Sequence, residues 1–146
     1  MKKLFALMLA IVFAVAVVSA RDRVTTDVNY LPQVAQQILK KHFPKAAVNH
    51  IKIDSKTFGG KEYDVVLNNG TEIEFDDKGE WKDIDAGMNG VPASIVPESI
   101  ATFVKKNHRG QKIVSIDRSK KGYEVELSGG LDLKFNRYGH FVRIDD

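Results

Sequence analysis

The chain has 146 residues, with 22 lysine and arginine residues, 19 aspartate and glutamate residues and no cysteine. The lack of cysteine excludes thiolate and disulfide chemistry, so an apolar core must stabilise the fold. Two of the basic residues lie within the first 20 positions, which leaves 20 basic against 19 acidic side chains in the remainder. That balance argues against nucleic-acid binding, which depends on a field of positive charge.

Residues 1–20 have the pattern of a cleaved secretory signal peptide. Two lysines precede an apolar run over residues 4–18, and small residues lead to Ala20 before the polar Arg21. A membrane-spanning helix usually needs about 20 apolar residues, so this run is short for a retained anchor, which is the alternative interpretation. We predict cleavage after Ala20 and a periplasmic or secreted protein without membrane attachment.

The rest of the chain contains two similar segments. Residues 63–67 (YDVVL) recur 60 positions later as residues 123–127 (YEVEL). In the same way Gly-Glu-Trp, ending at Trp81, corresponds to Gly-His-Phe, ending at Phe141. Internal similarity at a fixed spacing is typical of repeated structural units. We predict a first repeat over residues 28–86, a linker over residues 87–93 and a second repeat over residues 94–146.

Each repeat is predicted to form a helix followed by four antiparallel strands. A proline precedes each helix, and the apolar residues that follow have helical spacing; they are Leu31, Val34, Ala35, Ile38 and Leu39 in the first repeat, and Val96, Ile100, Phe103 and Val104 in the second. Alternating apolar and polar residues, separated by turns containing glycine, indicate the strands. The expected fold is therefore α+β, with about eight antiparallel strands and both helices on one face.

The sequence carries no recognisable catalytic or metal-binding constellation. It lacks a nucleophile elbow, and its four histidines are not at helical ligand spacing. Lys78 interrupts the acidic stretch at residues 76–80, which favours a solvated turn over a calcium loop. Asp83, Asp85, Asp145 and Asp146 are expected at strand ends, where solvation is easy. We predict a protein that is not an enzyme and that has no cofactor and no metal site.

Surface recognition is the remaining candidate function. Trp81, Phe141 and Tyr138 lie near the last hairpin of each repeat. In a regular strand Trp81 would point outward if Ile84 points inward, whereas a bulge would reverse that orientation and the ring would then cover the core. Exposed aromatic side chains are common anchors of protein interfaces. Four glutamates are predicted on the solvated sheet face and complete the set of candidate binding residues: Glu72, Glu74, Glu124 and Glu126.

Together, these motifs resemble the PepSY-like, β-lactamase-inhibitor-like proteins exported by Bacteroidetes-type bacteria, over residues 28–146. The resemblance implies helices packed on a curved antiparallel sheet whose concave face binds another protein. The inhibitor itself contains disulfides, and this chain has no cysteine, so inhibition of a β-lactamase is not carried over.

Two functions are consistent with this resemblance and with the residues. The first is an exported non-catalytic module that recognises or inhibits a protein or peptide of the cell envelope, of peptidase or hydrolase type, through the open sheet face. The alternative is a small-molecule or ion sensor with its ligand between the two repeats, near residues 87–92.

Overall fold

The computed structural model describes residues 22–145, so the predicted signal peptide and its cleavage site lie outside the described residues. Nine strands form one sheet in which each strand pairs antiparallel with its neighbours in the chain. They are β1 (Arg23–Thr25), β2 (Val48–Ser55), β3 (Lys61–Leu67), β4 (Glu72–Phe75), β5 (Trp81–Asp85), β6 (Ile113–Ser119), β7 (Gly122–Leu127), β8 (Asp132–Asn136) and β9 (Phe141–Asp145). Helix α1 (Gln33–His42) connects β1 to β2, and α2 (Glu98–Asn107) connects β5 to β6. The predicted α+β class is confirmed.

The described residues contain one strand more than the eight that the sequence predicted. Strand β1 precedes the predicted first repeat and pairs with β2, with Arg23 opposite Ile53 and Thr25 opposite Ile51. It is three residues long, which is too short for an alternating pattern to be recognised. Its position covers the outer edge of β2.

The core lies between the helices and one face of the sheet. In β3, Tyr63, Val65 and Leu67 are buried while the residues between them are partly exposed. Ala35 and Leu39 of α1 and Ile100 and Val104 of α2 join the same apolar cluster as the inward-facing strand residues, which places both helices on one sheet face. Val34, predicted within the apolar stripe of α1, is instead 39% exposed.

Two hairpin glycines bring the sheet close to the starts of the helices. Gly79 and Gly139 have φ values of +83° and +78°, in the left-handed region that favours glycine. A Cβ atom at Gly79 would lie 2.8 Å from the backbone nitrogen of Ala35, and one at Gly139 would clash with Ser99 Oγ. The two turns therefore pack directly against the first turns of α1 and α2.

The segment predicted as a linker follows the sheet. Residues Gly87–Asn89 form a 3₁₀ turn. The Val91 N–H then donates a hydrogen bond of 2.7 Å to the carbonyl of Ile113, at the start of β6. The connection is thus held against the sheet before α2 begins.

Register shifts in β5 and β9 set the orientation of the aromatic residues. Glu74 lies opposite Asp83, but Phe75 lies opposite Trp81, so Lys82 is an extra residue in β5. Such a bulge places Trp81 on the same face as Ile84, although the two are three positions apart. Strand β9 has the corresponding shift, with Phe135 opposite Phe141. The regular strand that would have exposed Trp81 is not formed.

Candidate functional site: the open face of the sheet

The face of the sheet opposite the helices, here called the open face, carries two rows of side chains that run across eight strands. Directly opposed residues of antiparallel strands share a face, with Cβ atoms about 4.5–5.5 Å apart. The first row consists of Lys52, Asp64, Glu74, Asp83, Asp117, Glu124, Lys134 and Arg143. The second row consists of His50, Val66, Glu72, Asp85, Ser115, Glu126, Asp132 and Asp145.

Carboxylates are concentrated in the middle of both rows. We call this set the acidic centre; its members are Asp64, Glu72, Glu74, Asp83, Asp85, Asp117, Glu124, Glu126 and Asp132. Five of them follow one another without interruption in the first row, from Asp64 on β3 to Glu124 on β7. Like charges that face each other across strands destabilise a sheet. The acidic centre is therefore a feature that lowers folding stability.

Basic side chains lie mainly around the acidic centre. Lys52 pairs with Asp54 at 3.1 Å, and Lys134 pairs with Asp145 at 2.9 Å. Lys82, the bulge residue of β5, reaches Glu74 at 3.0 Å. These ion pairs place most of the compensating positive charge at the two ends of the rows.

Asp83 is the most deeply buried carboxyl group of the acidic centre. Its residue is 8% exposed, because β6 covers the outer edge of β5 and aligns Asp117 opposite it. Desolvation by burial, followed by the charges of Asp117, Glu74 and Asp85, raises the pKa of Asp83 to about 8. The expectation of easy solvation was wrong for Asp83, since it lies in the middle of β5 and at the middle of the sheet. Structural and catalytic carboxyl groups both show such shifts, so the pKa alone assigns no reaction.

Other members of the acidic centre are shifted in the same direction. Burial, followed by the charge of Glu74, raises the pKa of Asp64 to about 6. Burial also raises the pKa of Glu72, next to Asp85, and of Glu126, next to Asp132. At neutral pH a positively charged ligand would favour the ionised form of each of these groups.

A groove of about 560 Å³ lies over the β5–β9 part of the open face. Its lining includes Asp83, Asp117, Glu124, Glu126 and Arg143. A second group of carboxylates lies on β3 and β4, where one oxygen each of Glu62, Asp64 and Glu74 lie within 4.8 Å of one another. Lys56 and Lys82 form ion pairs with Glu62 in this group.

The structure separates the predicted binding residues into two sets. The four glutamates Glu72, Glu74, Glu124 and Glu126 all lie on the open face, as predicted from their alternation. The three aromatic residues do not lie on it. Sequence reasoning missed Asp64, Asp83 and Asp117 as members of the same site, although the alternation in β3 already placed Asp64 on the solvated side.

Each aromatic residue has a structural environment of its own. Trp81 is 5% exposed in the core, and the guanidinium of Arg118 lies 4.2 Å from its ring centroid. Phe141 is 39% exposed on the helix side of β9 and stacks on Phe103 at 4.5 Å. Tyr138 is 65% exposed in the β8–β9 turn, away from the acidic centre.

The acidic stretch at residues 76–80, predicted as a solvated turn, forms the β4–β5 turn and is held by a side-chain cap. One carboxylate oxygen of Asp76 accepts hydrogen bonds of 2.9 Å from the backbone N–H groups of Lys78 and Glu80. Asn136 makes the same two contacts, at 3.0 Å, in the corresponding β8–β9 turn. An uncharged amide serves equally well, so the geometry of the turn accounts for Asp76.

The chain belongs to the PepSY-like family, whose model, described as "putative beta-lactamase-inhibitor-like, PepSY-like", matches residues 18–59 and 61–143. The resemblance inferred from the repeated motifs is thereby confirmed. No curated protein matches the chain. Within residues 22–145, neither helix has the length and apolar character needed to cross a bilayer.

Solved structures of three bacterial proteins have the same fold. A "putative periplasmic protein of unknown function" from Bacteroides vulgatus is 42% identical with a TM-score of 0.80, and the match covers 86% of this chain and 99% of that one. A "putative calcium-regulated periplasmic protein" from Bacteroides thetaiotaomicron is 38% identical with a TM-score of 0.80, covering 86% and 97%. A second Bacteroides vulgatus protein, described as a "putative periplasmic protein from DUF2874 family", is 38% identical with a TM-score of 0.80, covering 88% and 99%.

Proposed function

We propose that this protein is an exported, non-catalytic binding module whose open face holds a positively charged surface of an envelope or extracellular protein. Residues 1–20 direct export and are removed by cleavage after Ala20, and the two helix-and-four-strand units act as tandem repeats that build one continuous face. The family resemblance favours a partner of peptidase or hydrolase type. The periplasmic description of the related structures supports the compartment.

The uninterrupted series of carboxylates across the middle of the sheet is the observation that carries this proposal. Lysine or threonine at alternate positions of the first row would remove the repulsion without changing the core, since these side chains point away from it. Residues that lower stability in a folded protein are expected where they serve binding. The ligand that relieves this repulsion is a cationic one.

A protein partner suits the extent of the acidic centre. Its carboxylates extend from β3 to β8, which is wider than a single small cation would occupy. With Trp81 in the core, recognition would rest on complementary charge, which increases association rates and makes binding sensitive to salt. Aromatic anchors on this face are no longer part of the hypothesis.

The test compares two variants with the same change in net charge. The face variant carries Glu72→Gln, Glu74→Gln, Glu124→Gln and Glu126→Gln; the control carries Asp22→Asn, Asp77→Asn, Glu80→Gln and Glu98→Gln, which lie outside both rows. A partner is captured from envelope extract on the wild-type chain, purified, and titrated calorimetrically at two salt concentrations. We expect the face variant to bind at least about tenfold more weakly and with a smaller salt dependence, and the control to bind as the wild type does.

Equal loss of affinity in the two variants would contradict a role for the open face. Failure to recover any partner from the extract would count against a protein ligand altogether.

A divalent cation is a second candidate ligand, favoured by the oxygens of Glu62, Asp64 and Glu74 within 4.8 Å of one another. Carboxylate oxygens are the ligands that Ca²⁺ prefers, and one related structure is described as calcium-regulated. On this hypothesis Ca²⁺ added to the isolated protein raises its melting temperature by several degrees, and Mg²⁺ raises it less. The effect should vanish in Asp64→Asn and persist in Asp22→Asn; no shift with Ca²⁺ would exclude the ion as a ligand.

A further inference from the structure

Strand β9 forms one edge of the sheet. Its apolar side chains are exposed, whereas those at the corresponding positions of β5, the last strand of the first repeat, are covered. Ile84 of β5 is 0% exposed and Trp81 is 5% exposed, whereas Ile144 and Phe141, found 60 positions later, are 45% and 39% exposed. Val142, beside them, is 54% exposed. The difference follows from the topology, because β6 pairs with the outer edge of β5 and β9 ends the sheet.

The β5–β6 contact shows what such an edge accepts. It is a short antiparallel pairing in which Ile84 lies opposite Ile116, Asp83 opposite Asp117 and Asp85 opposite Ser115. An apolar residue occupies the middle of this pairing, with polar residues on either side. The corresponding residues of β9 are Arg143, Ile144 and Asp145.

We propose that β9 pairs antiparallel with β9 of a second copy of this chain, with Ile144 of each copy facing the other. In that register Arg143 of one copy lies opposite Asp145 of its partner, and the two-fold axis repeats the contact. Opposite charges directly across an antiparallel pair stabilise it. The same three positions thus provide an apolar centre and two complementary ion pairs.

The charges of β9 favour this register over pairings shifted by one residue. Pairing centred on Arg143 would place two guanidinium groups opposite each other at the axis, which is unfavourable. Centring on Ile144 removes that repulsion and uses both charged residues. The assembly is a closed dimer, because a two-fold axis brings identical surfaces together and leaves no further β9 edge.

The proposal is independent of the ligand of the open face, since it rests on the edge of β9. Sedimentation velocity from micromolar to millimolar concentration tests the proposal on three proteins, each without residues 1–20. They are the wild type, Arg143→Asp, and the double variant Arg143→Asp with Asp145→Arg. We expect a concentration-dependent dimer for the wild type and a dissociation constant about ten- to thirtyfold higher for Arg143→Asp, because two attractive contacts become repulsive. The double variant should restore part of the dimer affinity, since the reversed charges again face each other, while Asp145→Arg also removes the ion pair with Lys134 in the same chain.

Val24→Lys, on the exposed edge of β1 at the other end of the sheet, is the matched control and should dimerise as the wild type does. A wild-type chain that stays monomeric at millimolar concentration would overturn the proposal. So would oligomers that grow beyond two and are abolished by Val24→Lys, because they would indicate pairing of β9 with β1. Dimerisation unaffected by Arg143→Asp would likewise reject the register.

Discussion

Asp83→Asn is expected to make the protein more stable at neutral and alkaline pH and to flatten the dependence of its stability on pH. Asp83 is 8% exposed and has a pKa of about 8 in the folded state, against an ordinary value of 3.8. Ionising it in place requires a buried negative charge beside Asp117, Glu74 and Asp85. Asparagine has nearly the same shape and never takes on that charge.

The direction of the pH effect follows from proton linkage. Between about pH 4 and pH 8 the folded protein holds a proton on Asp83 that the unfolded chain has released, so the free energy of unfolding falls as the pH rises through this range. Each unit of pKa difference corresponds to about 1.4 kcal/mol, so the loss over the range is on the order of several kcal/mol. Asp64, with a pKa of about 6, lowers the free energy of unfolding further in the same direction. Its contribution ends at a lower pH than that of Asp83.

Urea denaturation at closely spaced pH values between 4 and 9 measures this effect. The wild type should lose stability up to about pH 8, while Asp83→Asn should lose little above about pH 7, where Asp64 is about nine-tenths ionised. Asp145→Asn is the control on the same face: Lys134 lowers the pKa of Asp145, so this variant should gain no stability at high pH. A curve for Asp83→Asn parallel to that of the wild type between pH 6 and pH 8 would contradict the assignment.

Alternation in the sequence was sufficient to predict strands β3, β4, β7 and β8 and the side of the sheet on which the glutamates lie. Tyr63, Val65 and Leu67 alternate with polar residues, and a period of two has one interpretation in a sheet with one covered face. Local patterns carried this information, because each residue's orientation is set by its neighbours in the same strand. The same patterns predicted two amphipathic helices, each preceded by a proline.

The features that local patterns could not predict depend on single residues or on distant strands. One extra residue at Lys82 reverses the orientation of Trp81, and no composition rule marks it. The burial of Asp83 requires β6, which is separated from β5 by α2. Strand β1 was missed because its three residues acquire their structure only by pairing with β2. The candidate site thus lost its three aromatic residues, kept the four predicted glutamates and gained the aspartates beside them.

Trp81→Ala is expected to destabilise the protein by about 3–5 kcal/mol, the usual loss for removal of a large aromatic side chain from a core. Trp81 is 5% exposed among the core residues opposite the open face. The substitution also removes the ring beneath the guanidinium of Arg118, whose Nη2 donates a hydrogen bond of 2.6 Å to the Trp81 carbonyl. A buried cavity and a lost cation–π contact act in the same direction.

Phe141→Ala is the matched control, because Phe141 occupies the corresponding position of β9 and is 39% exposed. Phe141→Ala should lower the free energy of unfolding by about half as much as Trp81→Ala or less, since Phe141 is already open to solvent on one side. Chemical denaturation of the two variants gives the comparison. Trp81 is the only tryptophan of the chain, so its fluorescence adds an independent measurement: native emission should be blue-shifted and protected from acrylamide. Equal losses of stability in the two variants, together with wild-type fluorescence that acrylamide quenches readily, would contradict this assignment. They would mean that β5 has no bulge and that Trp81 lies on the open face as a binding anchor.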